Sequence, residues 1–175
     1  PGAADPAPVS VLPVLVNEVL THSVAPAVDA VELFNPNPVP VDISHWYLTD
    51  NRDVPRKYRI PAGTIIPANG YLVLYETNSF NQGGTNFAFS RLGEEVYVFS
   101  GDAAGRLTGY FQGFDFGAAA ALVTFGRYTN SVGRVMEVAQ SYATLGGPNA
   151  PPMVGPVVIN ELMFYPPDLY VDGQP

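Results

Sequence analysis

The chain contains no cysteine, one lysine (Lys57), two histidines and no apolar run approaching the length of a membrane-spanning helix. The missing thiols exclude disulfide scaffolds and thiolate metal sites. Charge is also sparse: 14% of residues are Asp, Glu, Lys or Arg, against about 25% in an ordinary soluble domain. Helical bundles and coiled coils, which need charged outer faces, are therefore disfavoured. Basic residues are the scarcer sign, 8 against 16 acidic, for a net charge of −8. That balance opposes non-specific binding to nucleic acid or to an anionic membrane surface. No basic segment leads into an apolar one as in a secretory signal, and the chain does not begin with Met. It is expected to be a piece of a longer polypeptide.

What is present is β-like. The 175 residues are 47% apolar, enough for a core. Seventeen Gly and 18 Pro are spread along the chain, which breaks long helices and suits short strands joined by turns. Strand candidates are residues 14–20, 30–34, 41–49, 58–60, 64–66, 71–75, 87–89, 96–100 and 107–111, with weaker ones at 123–128 and 135–139. Asn35-Pro36-Asn37-Pro38 and Asn69-Gly70 mark turns. Ile43, Trp46 and Leu48 share one face only if a bulge near Ser44-His45 shifts the parity. Residues 71–75 (YLVLY) and 96–100 (VYVFS) are apolar at both parities, as in strands central to a sandwich. Residues 117–122 (GAAAAL) are helix-prone but too short to be stable alone. About eight to ten short strands at turn spacings near 8–12 residues predict an all-β sandwich or barrel.

The tail carries a repeat. Val157-Val158-Ile159-Asn160-Glu161-Leu162 reproduces Val14-Leu15-Val16-Asn17-Glu18-Val19, with an identical Asn-Glu pair. The expected organisation is a linker over 1–11, a domain over 12–145, a Pro/Gly linker over 146–156, and over 157–175 the first strand of a second, truncated module.

Four segments then point to a family. Glu32-Leu33-Phe34-Asn35, residues 42–50 (DISHWYLTD), residues 61–74 (PAGTIIPANGYLVL) and residues 93–98 (GEEVYV) follow in order. Together they resemble the lamin tail domain in its bacterial form, and Phe125-Gly126-Arg127-Tyr128 is similar to a late strand of that family. The resemblance spans about residues 12–145. It implies an immunoglobulin-like antiparallel β-sandwich, and, by the company such modules keep, a secreted or cell-surface location. No heptad-bearing segment accompanies it, so filament formation is not implied.

Catalytic and metal motifs are absent. His22 and His45 read as turn or surface imidazoles, and no nucleophile elbow, HExxH, Walker, Rossmann or EF-hand pattern occurs. Glu94-Glu95, adjacent in a turn, do not form a glycosidase pair. Asp50, Asn51 and Asp53 are a weak Ca²⁺ candidate, lacking the Gly and distal Glu of a calcium loop. Arg52, Arg56, Lys57 and Arg59 gather four of the eight cations around Tyr58. They are a candidate anion or partner contact, the plainer reading being a solvated loop that balances Asp50 and Asp53. Glu18, read as sharing a face with Val16, needs a partner such as Arg127 or Arg134, and a Glu18–Arg127 structural ion pair is expected. Trp46, Tyr71, Tyr75 and Phe99 read as core aromatics; a sugar-stacking platform of tyrosines is the alternative.

The functional expectation is a non-catalytic spacer or adhesive module of a secreted or surface multidomain bacterial protein. It would need no cofactor. Its partners would be a protein or a cell-surface polymer held by loops or a sheet edge, together with adjacent repeat modules, and not nucleic acid. The alternative is an accessory domain binding carbohydrate or another polymer beside an extracellular enzyme.

Overall fold

A computed structural model describes residues 10–83, 87–155 and 161–162. Among these are eleven strands, one 3₁₀ turn at Glu76–Asn78 and no α-helix. In chain order the strands are β1 Leu15–Leu20, β2 Ala30–Phe34, β3 Val41–Asp42, β4 Tyr47–Thr49, β5 Tyr58–Arg59 and β6 Ile65–Ile66. They continue with β7 Tyr71–Tyr75, β8 Glu94–Gly101, β9 Leu107–Phe116, β10 Thr124–Thr129 and β11 Val135–Ala139. A five-stranded sheet runs β11-β10-β1-β2-β7, a four-stranded sheet β5-β4-β8-β9, and β3-β6 form a short pair. Every pairing is antiparallel.

The core lies between the two larger sheets. Val14, Val16, Val19, Val31 and Leu33 face Leu48, Val96, Val98 and Phe114, all buried. Trp46, Ile43 and Leu48 all join this core. The parity shift that this requires is a turn in which the Trp46 N–H donates to the Ile43 carbonyl (3.1 Å) and His45 takes φ 68°. Phe87 and Phe89 form no strand: they plug one end of the sandwich with Phe80, at ring separations of 4.9–5.4 Å. Residues 117–122 form no helix either. Leu122 and Ala119 are tied back to His22, whose Nδ1 lies 2.8 Å from the Ala119 carbonyl.

A bulge at Asn17 decides where Glu18 points. Val16 pairs with Leu33 but Glu18 pairs with Glu32, leaving Asn17 as the extra residue. Val16 and Val19 therefore both reach the core, and Glu18 lies on the opposite, outer face. Its expected sharing of a face with Val16 is corrected by this shift. The Val16 N–H, beyond the reach of β10, donates to Gln112 Oε1 on β9 at 2.5 Å.

The outer row Gly126, Glu18 and Glu32 is covered by the chain that follows β11. Gln140 packs on Gly126 so closely that a Cβ there would lie 1.9 Å from Gln140 Nε2. Thr144 donates its N–H (2.8 Å) and its hydroxyl (2.6 Å) to the Glu18 carboxylate. Glu32 accepts from Asn17 Nδ2 at 2.6 Å and from the Gly146 N–H. Asn149 Nδ2 then returns to the carbonyls of Asn17 (3.1 Å) and Arg127 (2.8 Å). Glu18 and Glu32 are both fully buried beneath this strap. Burial, with the Glu18 charge adding to it, holds the Glu32 carboxyl above its ordinary range, against the lowering effect of the Asn17, Gly146 and Gly147 donors.

Two sequence expectations change here. Glu18 does not pair with Arg127. Pairing puts Gly126 beside Glu18, so the next residue along β10 projects to the other side. Arg127 instead meets Glu137 of β11 at 3.3 Å, and Thr144 takes its place on Glu18. The Pro/Gly segment expected as a linker over 146–156 is docked over 146–153, where Met153 donates to the Ala139 carbonyl and Pro152 bridges to Gln140. Most of the proposed second copy, residues 157–160 and 163–175, lies outside the described residues.

Candidate contact face

Sheet register places an unusual set of side chains on the outer face of the four-stranded sheet. Leu48, Val98 and Gln112 form one cross-strand row, with Tyr58 beside Leu48, and the first two are in the core. The neighbouring row, Arg59, Tyr47, Phe99 and Phe111, must then face outward. Thr49, Tyr97 and Gly113 form the next outward row. Phe99, read from sequence as a core aromatic, is buried, but on this outer side and apart from the main core cluster. Its ring stacks on Phe111 at 5.3 Å, and Tyr97 lies 6.4 Å from both. Phe111 remains 43% exposed.

Glycines let the tyrosines lie down on the sheet. A Cβ at Gly113 would fall 2.6 Å from Tyr97 Cδ1, and one at Gly101 would fall 2.9 Å from Tyr47 Cε2. The Tyr97 hydroxyl donates to Asp115 Oδ1 at 3.1 Å, and Tyr47 reaches the Gly105 carbonyl at 3.4 Å. Burial, reinforced by the Asp115 charge, raises the Tyr97 phenol above its ordinary range. Tyr71 and Tyr75, also read as core residues, lie elsewhere: Tyr71 stacks on Phe34 at 4.8 Å and Tyr75 is 39% exposed.

The arginines of the basic cluster are brought to this face. Arg52 holds its guanidinium carbon 4.7 Å from the Phe111 ring centre and 5.8 Å from that of Tyr97. Arg56 Nε donates to the Gly105 carbonyl at 3.2 Å, and Arg59 Nη2 donates to the carbonyls of Asp102 (3.1 Å) and Ala103 (2.8 Å). Lys57 departs from the group and pairs with Asp50. The cluster is thus three arginines laid on rings and on the 102–105 turn, not a loop of freely solvated charges. Nearby carboxylates are engaged elsewhere: Glu95 accepts the Arg52 backbone N–H at 2.6 Å, and Asp102 binds Arg106 at 2.8 Å. That contact, through the Arg106 N–H and guanidinium, holds the Asp102 carboxyl below its ordinary range.

The calcium candidate does not assemble. Asp50 is committed to Lys57, and Asn51 Oδ1 accepts the Asp53 N–H at 2.9 Å. Among the described residues, no group of three or more His, Asp or Glu is placed to hold a metal ion. Two surface depressions have volumes of about 330 and 420 Å³. One lies beside Trp46 and Asp42, the other beside Tyr71, Tyr128 and Asn149. What the outer face offers is binding: rings, guanidinium forks and an adjacent strand edge.

The two-sheet architecture and the motif strands at β2, β4, β7 and β8 agree with one family, whose match covers residues 9–113. The chain belongs to the lamin tail domain family. The lamin tail domain is an immunoglobulin-like, non-catalytic module, and the sandwich described above is consistent with it. The match ends within β9, whereas the sheet and its strap continue to Met153. Comparison with curated proteins and with solved structures gives no significant match.

Sequence reasoning missed Tyr47, Tyr97 and Phe111 as members of this face. The signal was Gly109-x-Phe111-x-Gly113 on β9, which bares one parity around a single aromatic. Reading residues 96–100 as buried on both sides concealed it, since period-2 apolarity does not say whether a second layer covers the outer face.

Proposed function

We propose that this lamin tail domain is a non-catalytic contact module of a larger secreted or cell-surface bacterial protein. It holds a partner through the outer face of its four-stranded sheet and serves as a rigid spacer between its neighbours. The observation that carries this reading is the floor of Tyr97, Phe99 and Phe111 with Arg52 stacked over it, on a sheet face that would ordinarily be polar. Tyrosine, phenylalanine and arginine are the residues that dominate contact energetics. The second antiparallel sheet behind the face keeps it rigid, so little order is lost on contact.

The test uses beads coated with the domain, applied to bacterial cell-envelope fragments, with Tyr97→Ser/Phe111→Ser as the comparison. Retention should fall by about fivefold or more in the double variant, as for the loss of a central contact residue. Equal retention of both proteins refutes the assignment of the face. Turnover of chromogenic ester, glycoside or phosphodiester substrates by the purified domain refutes the non-catalytic reading.

A further inference from the structure

We infer that the arginine-bearing face and the outer edge of β9 form one docking site, whose occupant is an extended acidic peptide that adds to the sheet beside β9. This rests on the contact reading above and specifies the chemistry of the partner.

The first support is the edge itself. β9 is ten residues long and, among the described residues, pairs with β8 alone within its sheet. The Tyr110 N–H donates to Ser100 Oγ (3.0 Å) and its carbonyl accepts from the same hydroxyl (3.2 Å), so both groups of Tyr110 point toward β8. By alternation, the N–H and carbonyl of Phe111 point to the open side. Among the described residues, neither a second strand pairing nor a turn or loop backbone bond reaches them there. Leu107–Phe116 contains no lysine or proline to guard the edge, and its guards, an irregularity at Gly109 and the charge of Asp115, lie on either side of Phe111. An added strand would satisfy these groups, as in other β-augmentation complexes.

The second support is charge. Arg52 has no carboxylate within ion-pair distance among the described residues, although acidic residues outnumber basic ones by 16 to 8. Glu95, Asp115, Asp102 and Asp50 are already taken by the Arg52 N–H, Tyr97, Arg106 and Lys57. The Arg52 guanidinium lies over Phe111, a position that fixes its plane and leaves its N–H edge for a planar anion. A strand added next to β9 would lie about 4.8 Å from it. Its residue opposite Phe111 would project onto the same face, beside Arg52. An Asp or Glu at that position completes the pairing, and the Asp115 carboxylate further along β9 disfavours acids at the positions beyond it. A polyanionic nucleic acid would meet a chain of net charge −8, and a glycan makes no use of a backbone edge.

The test is selection from a randomised heptapeptide library on the intact domain, followed by amide NMR mapping of the best peptide. Asp or Glu should be enriched at one position, and the amides of Phe111 and Gly113 should shift. N-methylation of the peptide's pairing amides should abolish binding. Arg52→Met should weaken binding about tenfold, as for loss of a charge-assisted bond, at an unchanged melting temperature, and Arg52→Lys should recover part of it. No selected binder, enrichment of basic residues, indifference to Arg52→Met or to N-methylation, or preferential binding of polygalacturonate or single-stranded DNA overturns the inference. Neutral peptides whose capture is lost in Phe111→Ser would sink the acidic partner and leave the contact reading standing. Capture indifferent to every change on the face would sink both.

Discussion

Replacing Thr144 by valine tests whether the strap over the five-stranded sheet is held by the buried carboxylate. The Thr144 hydroxyl donates to Glu18 Oε2 at 2.6 Å, and a hydroxyl has one proton to give. Gln140 Oε1 also lies 3.2 Å from that hydroxyl, so the single proton serves the nearer acceptor, Glu18. Valine keeps the shape and removes that bond, leaving one oxygen of a fully buried carboxylate without its donor. A hydrogen bond to a charged group contributes about 1.5–3 kcal/mol. For a domain of this size each kcal/mol moves the melting temperature by about 2–4 °C. Thr144→Val should thus melt about 3–12 °C lower by differential scanning calorimetry, and Thr144→Ser, which keeps the hydroxyl, should stay close to the parent. A Thr144→Val protein melting within about 1 °C of the parent would refute the claim that this contact holds the strap.

Glu32 predicts a pH dependence. Its carboxyl is raised above 4.5 in the folded state, chiefly by burial, so the folded protein binds that proton more tightly than the unfolded chain. The associated stability is fully present below about pH 4.5 and is lost as pH rises through the folded-state value. Melting of the parent should fall relative to Glu32→Gln over that rise, and a difference that stays constant with pH would contradict it. Gly113→Ala would put a Cβ 2.0 Å from the Val96 carbonyl oxygen and 2.6 Å from Tyr97 Cα. Because both obstacles are backbone, β8 and β9 must part, at a cost of about 2–3 kcal/mol readable by urea unfolding; an unchanged midpoint would show that the strands can yield. Asn35 is fully buried, its Nδ2 shares two protons among the carbonyls of Val39, Ile66 and Pro67, and its Oδ1 accepts from the Asn37 N–H. Asn35→Ala should cost about 2–4 kcal/mol, and a loss below about 1 kcal/mol would show that water replaces the side chain.

Local sequence determined the class of this protein and most of its strands. Glycine and proline limit what the backbone can do within a few residues, so turns such as Asn35-Pro36 and Asn69-Gly70 fall where they were read. Alternation sorts Val96, Val98 and Leu48 into a core because neighbouring residues on a strand point to opposite faces. The family motifs lie in the same short segments, and hence were legible too. What period-2 patterning does not contain is which outer face remote chain will cover. Glu18 looked like half of an ion pair because its nearest candidates in an idealised strand were arginines. The bulge at Asn17 turned it outward, and Thr144, which is 126 residues away, met it there. The arginine cluster shows the same division. Its composition was plain in the sequence, but only folding carried Arg52 onto Phe111, and Arg56 and Arg59 onto the 102–105 turn, more than forty positions distant. Such contacts depend on the packing of whole sheets, and no local window of sequence encodes them.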